Sequence, residues 1–126
     1  MSKTSNGNKN VCPTRWHVPT DAEWTVLTDY LGGEIVAGGK LKEVGTTSWN
    51  SPNTDATNTS LFSALPGGSR DGKGFYHNIG SDGYWWSSTE NGSANIWDRI
   101  LYNYVGNVYR NGDGKVAGLS VRCIKD

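Results

Sequence analysis

Few residues in this 126-residue chain have the type and spacing that catalysis requires. It has two cysteines, Cys12 and Cys123, one near each end, and two histidines, His17 and His77. Cysteines so placed suggest a disulfide joining terminal strands, worth about 4–5 kcal/mol in the chain-entropy account; the alternative is two separate buried thiols. A bridge would imply an oxidising compartment. His17, between Trp16 and Val18, reads as a hydrogen-bonded structural residue, whereas His77 in FYHNIG lies near turns and faces solvent or a ligand. Neither is accompanied by a nucleophile elbow, so Ser–His–Asp chemistry has no support. Carboxylates that could act in pairs on a glycosidic bond, such as Asp82, Glu90 and Asp98, are scattered, and sequence does not set their separation. DGKG at 71–74 and DGK at 113–115 put lysine where a calcium loop needs an oxygen ligand. The expectation is a chain that is not an enzyme and uses no metal or cofactor.

Recognition is the chemistry that remains, and it concentrates in DRILYNYVGNVYRNGDGK, residues 98–115. Strand alternation sends Asp98, Ile100, Tyr102 and Tyr104 to one face and Trp97, Arg99, Leu101 and Asn103 to the other. A surface hairpin ordinarily packs one apolar face and leaves a bland one in water. Here the face opposite Trp97 and Leu101 carries two tyrosines, an isoleucine and an aspartate.

The elements that must position these residues are partly legible. Thr20-x-x-Glu23 is a capping box, followed by Trp24, Leu27 and Leu31 at helical spacing and a Gly32-Gly33 stop, so a helix runs through TDAEWTVLTDYLGG. EIVAGGKLKEVG is a weaker helix, because Gly38 and Gly39 lie inside it. A long ordered loop follows from residue 46. Short strands are expected at LFSALP, GFYHNI, YWWSST, IWDRILYNY, NVYRN and VAGLSVRCI, with turns at RDGKG, GSDG and NGDG. Two helices and short turn-linked strands make an α+β domain over residues 11–126. MSKTSNGNKN, residues 1–10, reads as a disordered linker or artificial chain end, and any export signal would lie upstream in a longer parent.

Composition narrows the partners. Twelve basic residues balance twelve acidic ones and no basic stripe exists, which argues against nucleic acid. No run approaches the roughly 18 apolar residues that direct membrane insertion requires. Six tryptophans, six tyrosines and 17 glycines describe an aromatic, turn-rich core. Most tryptophans, Trp24 and Trp97 among them, are expected in that core, with one side of YWW at 84–86 exposed.

Four blocks, VCPTRWHVPTDAEW, AGGKLKEVGTTSWNSPNTDATNTSLFSALPGG, YWWSSTE and LSVRCIKD, resemble the Fibrobacter succinogenes major paralogous domain over residues 11–126. Arg15 stands where that family has glycine, and Leu119 where it has phenylalanine. The resemblance implies a C-type-lectin-like fold with paired N- and C-terminal strands, consistent with a Cys12–Cys123 bridge. It also implies a binding protein outside the cell, either at a bacterial surface or phage-associated. The related formylglycine-generating enzymes act through an active-site cysteine pair; here the cysteines sit at the chain ends, so that activity is not carried over. The Glu-Pro-Asn and Trp-Asn-Asp motifs of calcium-dependent lectins are missing.

Similar domains are the variable proteins of diversity-generating retroelements, in which asparagine-type codons near the C-terminus are rewritten. Randomising the first two bases of such a codon never yields Trp, Lys, Glu, Gln or Met. Residues 91–119 contain two of these types, Trp97 and Lys115, against fifteen such residues in 1–90.

On this reading Trp97, Leu101, Val108 and Val121 are an inward scaffold. Asp98, Ile100, Tyr102 and Tyr104 form an exposed reading face, joined by Tyr109, Asn111 and Asp113. Asn91, Ser93, Asn95 and Ile96 lie on the approach, and Val116 and Ala117 on the return. Tyrosine suits the role, with a large rigid ring and a hydroxyl. The ligand would be a protein or glycan on a cell or other surface. Two alternatives stand beside it. The face could simply pack on the 46–60 loop, or the chain could be a carbohydrate-binding or adhesive module working through exposed Tyr84, Trp86 and Trp49.

Overall fold

The computed structural model describes residues 11–126; the linker read at residues 1–10 lies outside them. The elements are β1 (Trp16–His17), α1 (Asp21–Tyr30), α2 (Glu34–Leu41), β2 (Ser69–Arg70), β3 (Tyr76–His77), β4 (Asp82–Asn91), β5 (Asn95–Tyr102), β6 (Val108–Gly114) and β7 (Ile124–Lys125). This is an α+β fold in which β1 pairs antiparallel with β7, β2 with β3, and β4–β5–β6 form a three-stranded antiparallel sheet with β5 in the middle.

The chain ends are fastened twice. Cys12 and Cys123 are disulfide-bonded with their Cα atoms 5.8 Å apart. His17 lies between the Asp126 carboxylate at 2.6 Å and the Glu23 carboxylate at 3.0 Å, tying β1 to the chain end and to the start of α1. Hydrogen bonds to Asp126 and Glu23 raise the His17 pKa. Glu23 also completes the capping box: the Thr20 amide donates to its carboxylate at 2.9 Å, and its own amide donates to the Thr20 hydroxyl at 3.1 Å.

Helix α1 buries Trp24 and Thr28, and Leu31 follows them into the core. In α2 the two glycines that weaken helix propensity are needed for packing. A Cβ at Gly38 would collide with the Asn107 carbonyl, and one at Gly39 with the Asp55 carbonyl. The Gly39 amide donates to Gly106 at 3.0 Å, so two loops press directly on the helix backbone. The core is Trp24, Leu31, Ala37, Leu41, Trp49, Ala64, Trp85, Leu101 and Val108, lying between the helices and one side of the sheet.

Several expected strands are shorter than the sequence suggests. LFSALP contributes a single bridge, Lys42 to Ala64, and VAGLSVRCI forms strand-like bridges only at Gly118 and Ser120 before β7. From Ser120, hydrogen-bonded to Tyr84 and Trp86 on the edge of β4, the chain turns away toward Cys123. Val121, expected inside, is therefore exposed. NGDG, expected as a turn, continues β6 to Gly114, and the β5–β6 connection lies at residues 103–107. The glycine at 112 leaves room for the Asn91 amide, which a Cβ would strike at 2.5 Å.

Candidate functional site

Residues directly opposite across antiparallel strands point to the same side of a sheet. The register pairs Tyr84 with Ile100 and Tyr109, Trp86 with Asp98 and Asn111, Asp82 with Tyr102, and Ile96 with Asp113. One side, here called the outer face, therefore carries these residues together. The inner face carries Trp85, Arg99 and Arg110 in one row and Leu101 and Val108 in another.

The outer face has a floor and a rim. Asp98 is 0% exposed and Ile100 4%, so both leave the exposed reading face to which alternation assigned them. The reason is position: β5 is the central strand, flanked on this side by Tyr84 and Trp86 of β4 and by Tyr109 and Asn111 of β6. Tyr102 is half-buried, while Tyr104 is 57% exposed and Tyr109 39%. Their rings form one cluster, with Tyr102 stacked on Tyr104 at 5.2 Å and meeting Tyr109 edge-on at 5.4 Å. Tyr84 donates its hydroxyl to the Asp82 carboxylate at 2.8 Å, and burial together with that carboxylate drives the Tyr84 phenol upward in pKa.

The other candidates spread along the sheet. Asn111 is exposed and Asp113 half-buried on β6. Asn91, Asn95, Ile96 and the exposed Ser93 lie about the β4–β5 turn, at the end of β5 opposite Tyr102. Val116 and Ala117 do not join the tyrosines. Val116 lies beside Gly72 in the β2–β3 connection, and the Gly118 that follows Ala117 bridges to Arg70.

Two features hold the tyrosine cluster in place. The first is Lys42, fully buried just beyond α2, whose Nζ donates to the carbonyls of Thr54 at 2.8 Å, Tyr102 at 3.0 Å and Val105 at 3.1 Å. An ammonium has three protons to give; two go to the end of β5 and the turn after it, and the third goes to the 46–60 loop packed against that turn. Burial lowers its pKa to about 8, partly opposed by Asp55. The second is Asn103, whose side chain donates to the Ser51 carbonyl at 3.0 Å while its carbonyl accepts the Thr54 amide at 2.9 Å. The 46–60 loop thus grips the backbone of this turn and leaves the Tyr104 and Tyr109 rings exposed. Sequence reasoning missed Lys42, since a lysine just past a helix ordinarily reads as solvated.

The inner face is a latch. Arg99 donates to Asp21 Oδ1 at 2.7 Å and Arg110 to Asp21 Oδ2 at 2.8 Å, joining the first residue of α1 to β5 and β6. Burial alone would raise the Asp21 pKa, but hydrogen bonds from Arg110 and Arg99 hold it below the usual carboxylate range. The Arg110 guanidinium lies 3.5 Å over the Trp97 ring, so Trp97 is covered by an arginine at the sheet edge rather than sealed in the core.

Trp49 and Trp86, offered as sugar-stacking platforms, are 1% and 6% exposed. The Trp49 indole donates to the Ala64 carbonyl at 2.9 Å and has no ring face in solvent. Trp16 on β1 is the exposed tryptophan. His77 pairs with Asp71 at 2.8 Å on the β2–β3 hairpin, away from the tyrosines. Among the described residues, no group of three or more His, Cys, Asp or Glu could hold a metal ion, and no helix is long and apolar enough to cross a membrane.

These features define a small disulfide-closed α+β domain whose sheet is latched on one side and presents aromatic and acidic side chains on the other. The chain belongs to the Fibrobacter succinogenes major domain family, whose sequence model matches residues 1–125. It matches no curated protein and no solved structure.

Proposed function

We propose that this is an exported, non-enzymatic ligand-binding domain of C-type-lectin-like fold, which recognises a protein or glycan on a cell or other surface through the outer face of β4–β6. The observation that carries this reading is the ring cluster of Tyr102, Tyr104 and Tyr109, exposed at its rim and fastened from behind by Lys42. Rigid aromatic rings on a pre-set backbone lose little entropy on binding, which is what a recognition surface needs. The disulfide between the chain ends is compatible with life outside the cell.

Retroelement diversification of residues 91–119 belongs to the same proposal. It is supported by the scarcity there of residues that a rewritten asparagine codon cannot encode. It requires a reverse transcriptase and a near-identical template repeat beside the parent gene, and their absence would remove this part.

The binding reading is tested with labelled domain on bacterial cells and glycan arrays, comparing the native chain with a Tyr104→Ala, Tyr109→Ala variant. Loss of at least about tenfold in binding, with melting temperature nearly unchanged, supports a recognition surface. Full binding by the variant would overturn it.

A further inference from the structure

The β4–β5–β6 sheet has two edges, and the molecule treats them differently. The outer edge of β4 is met by other segments along its length. The Asp82 amide donates to the Asn78 carbonyl at 3.0 Å, and the Asp82 carbonyl accepts from Gly68 at 2.8 Å. The Tyr84 carbonyl accepts from Ser120 and the Trp86 amide donates back to Ser120, both at 3.0 Å. The Trp86 carbonyl takes the Trp24 indole at 3.3 Å, and the Ser88 amide donates to Pro19 at 2.9 Å.

Those partners fix the phase of the ladder. Along an antiparallel strand, successive residues bond first to one neighbour and then to the other. Asp82, Tyr84 and Trp86 face away from β5, so Gly83 and Trp85 bond to Leu101 and Arg99. Ile100 and Asp98, next in turn, bond to Tyr109 and Asn111 on β6. The amides and carbonyls of Arg110 and Gly112 therefore point away from β5, out of the opposite edge. None of these four groups has a hydrogen-bond partner among the described residues.

Sheet edges are ordinarily blunted by a lysine, a proline, a bulge or a covering segment. The β6 sequence VYRNGDG has no lysine or proline, and its register with β5 runs from Val108 to Gly114 without a shift. Tyr109, Arg110 and Asn111 are exposed, and the one cation, Arg110, is drawn to the inner face by Asp21. Helix α2 meets the chain ahead of this stretch, at Gly106 and Asn107.

A row of free amides and carbonyls at strand spacing is complementary to the backbone of another extended chain. Two kinds of chain meet that description, a second copy and a segment of a partner protein. The twofold register that pairs all of β6 with itself is centred on Asn111 and sets each Tyr109 opposite an Asp113, a ring against an acid. The exposed Tyr109 ring, packed on Tyr102 and one residue from Arg110, instead offers apolar area to a chain that brings an apolar side chain.

Resting on the reading that the outer face is the recognition surface, we propose that its ligand is an extended polypeptide segment of a partner protein. It adds to the sheet as a strand beside β6, bonds the amides and carbonyls of Arg110 and Gly112, and lays an apolar side chain against Tyr109.

The test is selection of displayed random heptapeptides on the immobilised full chain, followed by NMR of its backbone amides with the enriched peptides. These peptides should shift the Arg110 and Gly112 amides and protect them from exchange, more than those of Tyr109 and Asn111, which already bond to β5. Methylating the peptide amides along one edge should weaken binding at least about tenfold, and methylating those along the other should leave it unchanged. Gly112→Pro deletes one edge donor, whereas Gly112→Ala keeps it and adds the same Cβ; the proline variant should bind at least about tenfold more weakly than the alanine variant. If the proline variant does not fold, the methylated peptides decide the matter on the native chain. Peptides that leave the Arg110 and Gly112 amides unmoved, or tolerate methylation of both edges, overturn the strand assignment, as does failure to enrich any peptide. Protection of those amides that grows with protein concentration alone gives the edge to a second copy and overturns it too. In each case the comparison of the Tyr104→Ala, Tyr109→Ala variant on cells and glycan arrays decides separately whether the outer face recognises anything.

Discussion

The two faces of the β4–β6 sheet are built from alternate residues of the same three strands, yet they solve opposite problems. The inner face joins apolar side chains, Trp85, Leu101 and Val108, to two arginines that share one aspartate on α1. Every charge there has a partner of opposite sign. The outer face keeps its apolar and aromatic groups in a layer that stops at the tyrosine rims, and its buried acids go without a base. A carboxyl buried without a base must take up a proton or lose its hydration, and either costs stability, so a sheet optimised only for folding would not be built this way. The difference teaches where the molecule gives up stability, and that is the side proposed to bind.

The contrast can be broken most forcefully from the inside. Trp85→Ala removes a buried aromatic of the inner face and should cost about 3–5 kcal/mol, read as a large fall in the denaturation midpoint. A loss no larger than that of an exposed tyrosine would dissolve the distinction. Lys42→Met is next: it withdraws the donor from the carbonyls of Thr54, Tyr102 and Val105 and should cost about 2–3 kcal/mol. Because that ammonium fastens the turn after β5, binding should weaken even under conditions where the variant is fully folded.

A pH series sharpens the outer half of the comparison. The folded Asp98 carboxyl titrates at about 9, far above the value of about 3.9 for an unfolded aspartate. Between those values the folded state binds more protons than the unfolded state, so stability falls as pH rises across that window. Asp98→Asn abolishes this titration and can donate to Asp113. The variant should therefore match the native chain near about pH 4 and exceed it in melting temperature by a margin that widens toward about pH 9. A constant gap at all pH values would show that the pair shares no proton. The smallest effect belongs to the Tyr104→Ala, Tyr109→Ala variant, whose cost in stability should stay within about 1 kcal/mol because both rings face water. A loss of several kcal/mol would place the tyrosines in the core.

How far the sequence carried differs between elements. The capping box and the Trp24, Leu27, Leu31 spacing located α1 within a residue, because a helix end is decided by its own few residues. Alternation sorted residues 96–102 between two faces correctly, but it could not say that β5 is the middle strand. Hence Asp98 and Ile100 were expected in solvent and are buried. The doublet Gly38-Gly39 looked like a weakness, and only the loops lying against it show why larger residues are excluded. Lys42 was illegible because its partners are carbonyls, at Thr54, Tyr102 and Val105, and a backbone carbonyl leaves no mark in residue type.

By itself, then, the sequence determined what is local or covalent: the first helix and its cap, the alternation along the strands, the two cysteines available to close the chain, and the family. The tertiary structure alone decided what depends on neighbours distant along the chain. It set which strand lies in the centre, which tryptophans are sealed, what Lys42 holds, and that two aspartates meet across β5 and β6. Period and propensity are properties of a few consecutive residues, whereas burial and electrostatic pairing are properties of the surroundings, which chain folding brings together from the 50s, the 80s and the 110s.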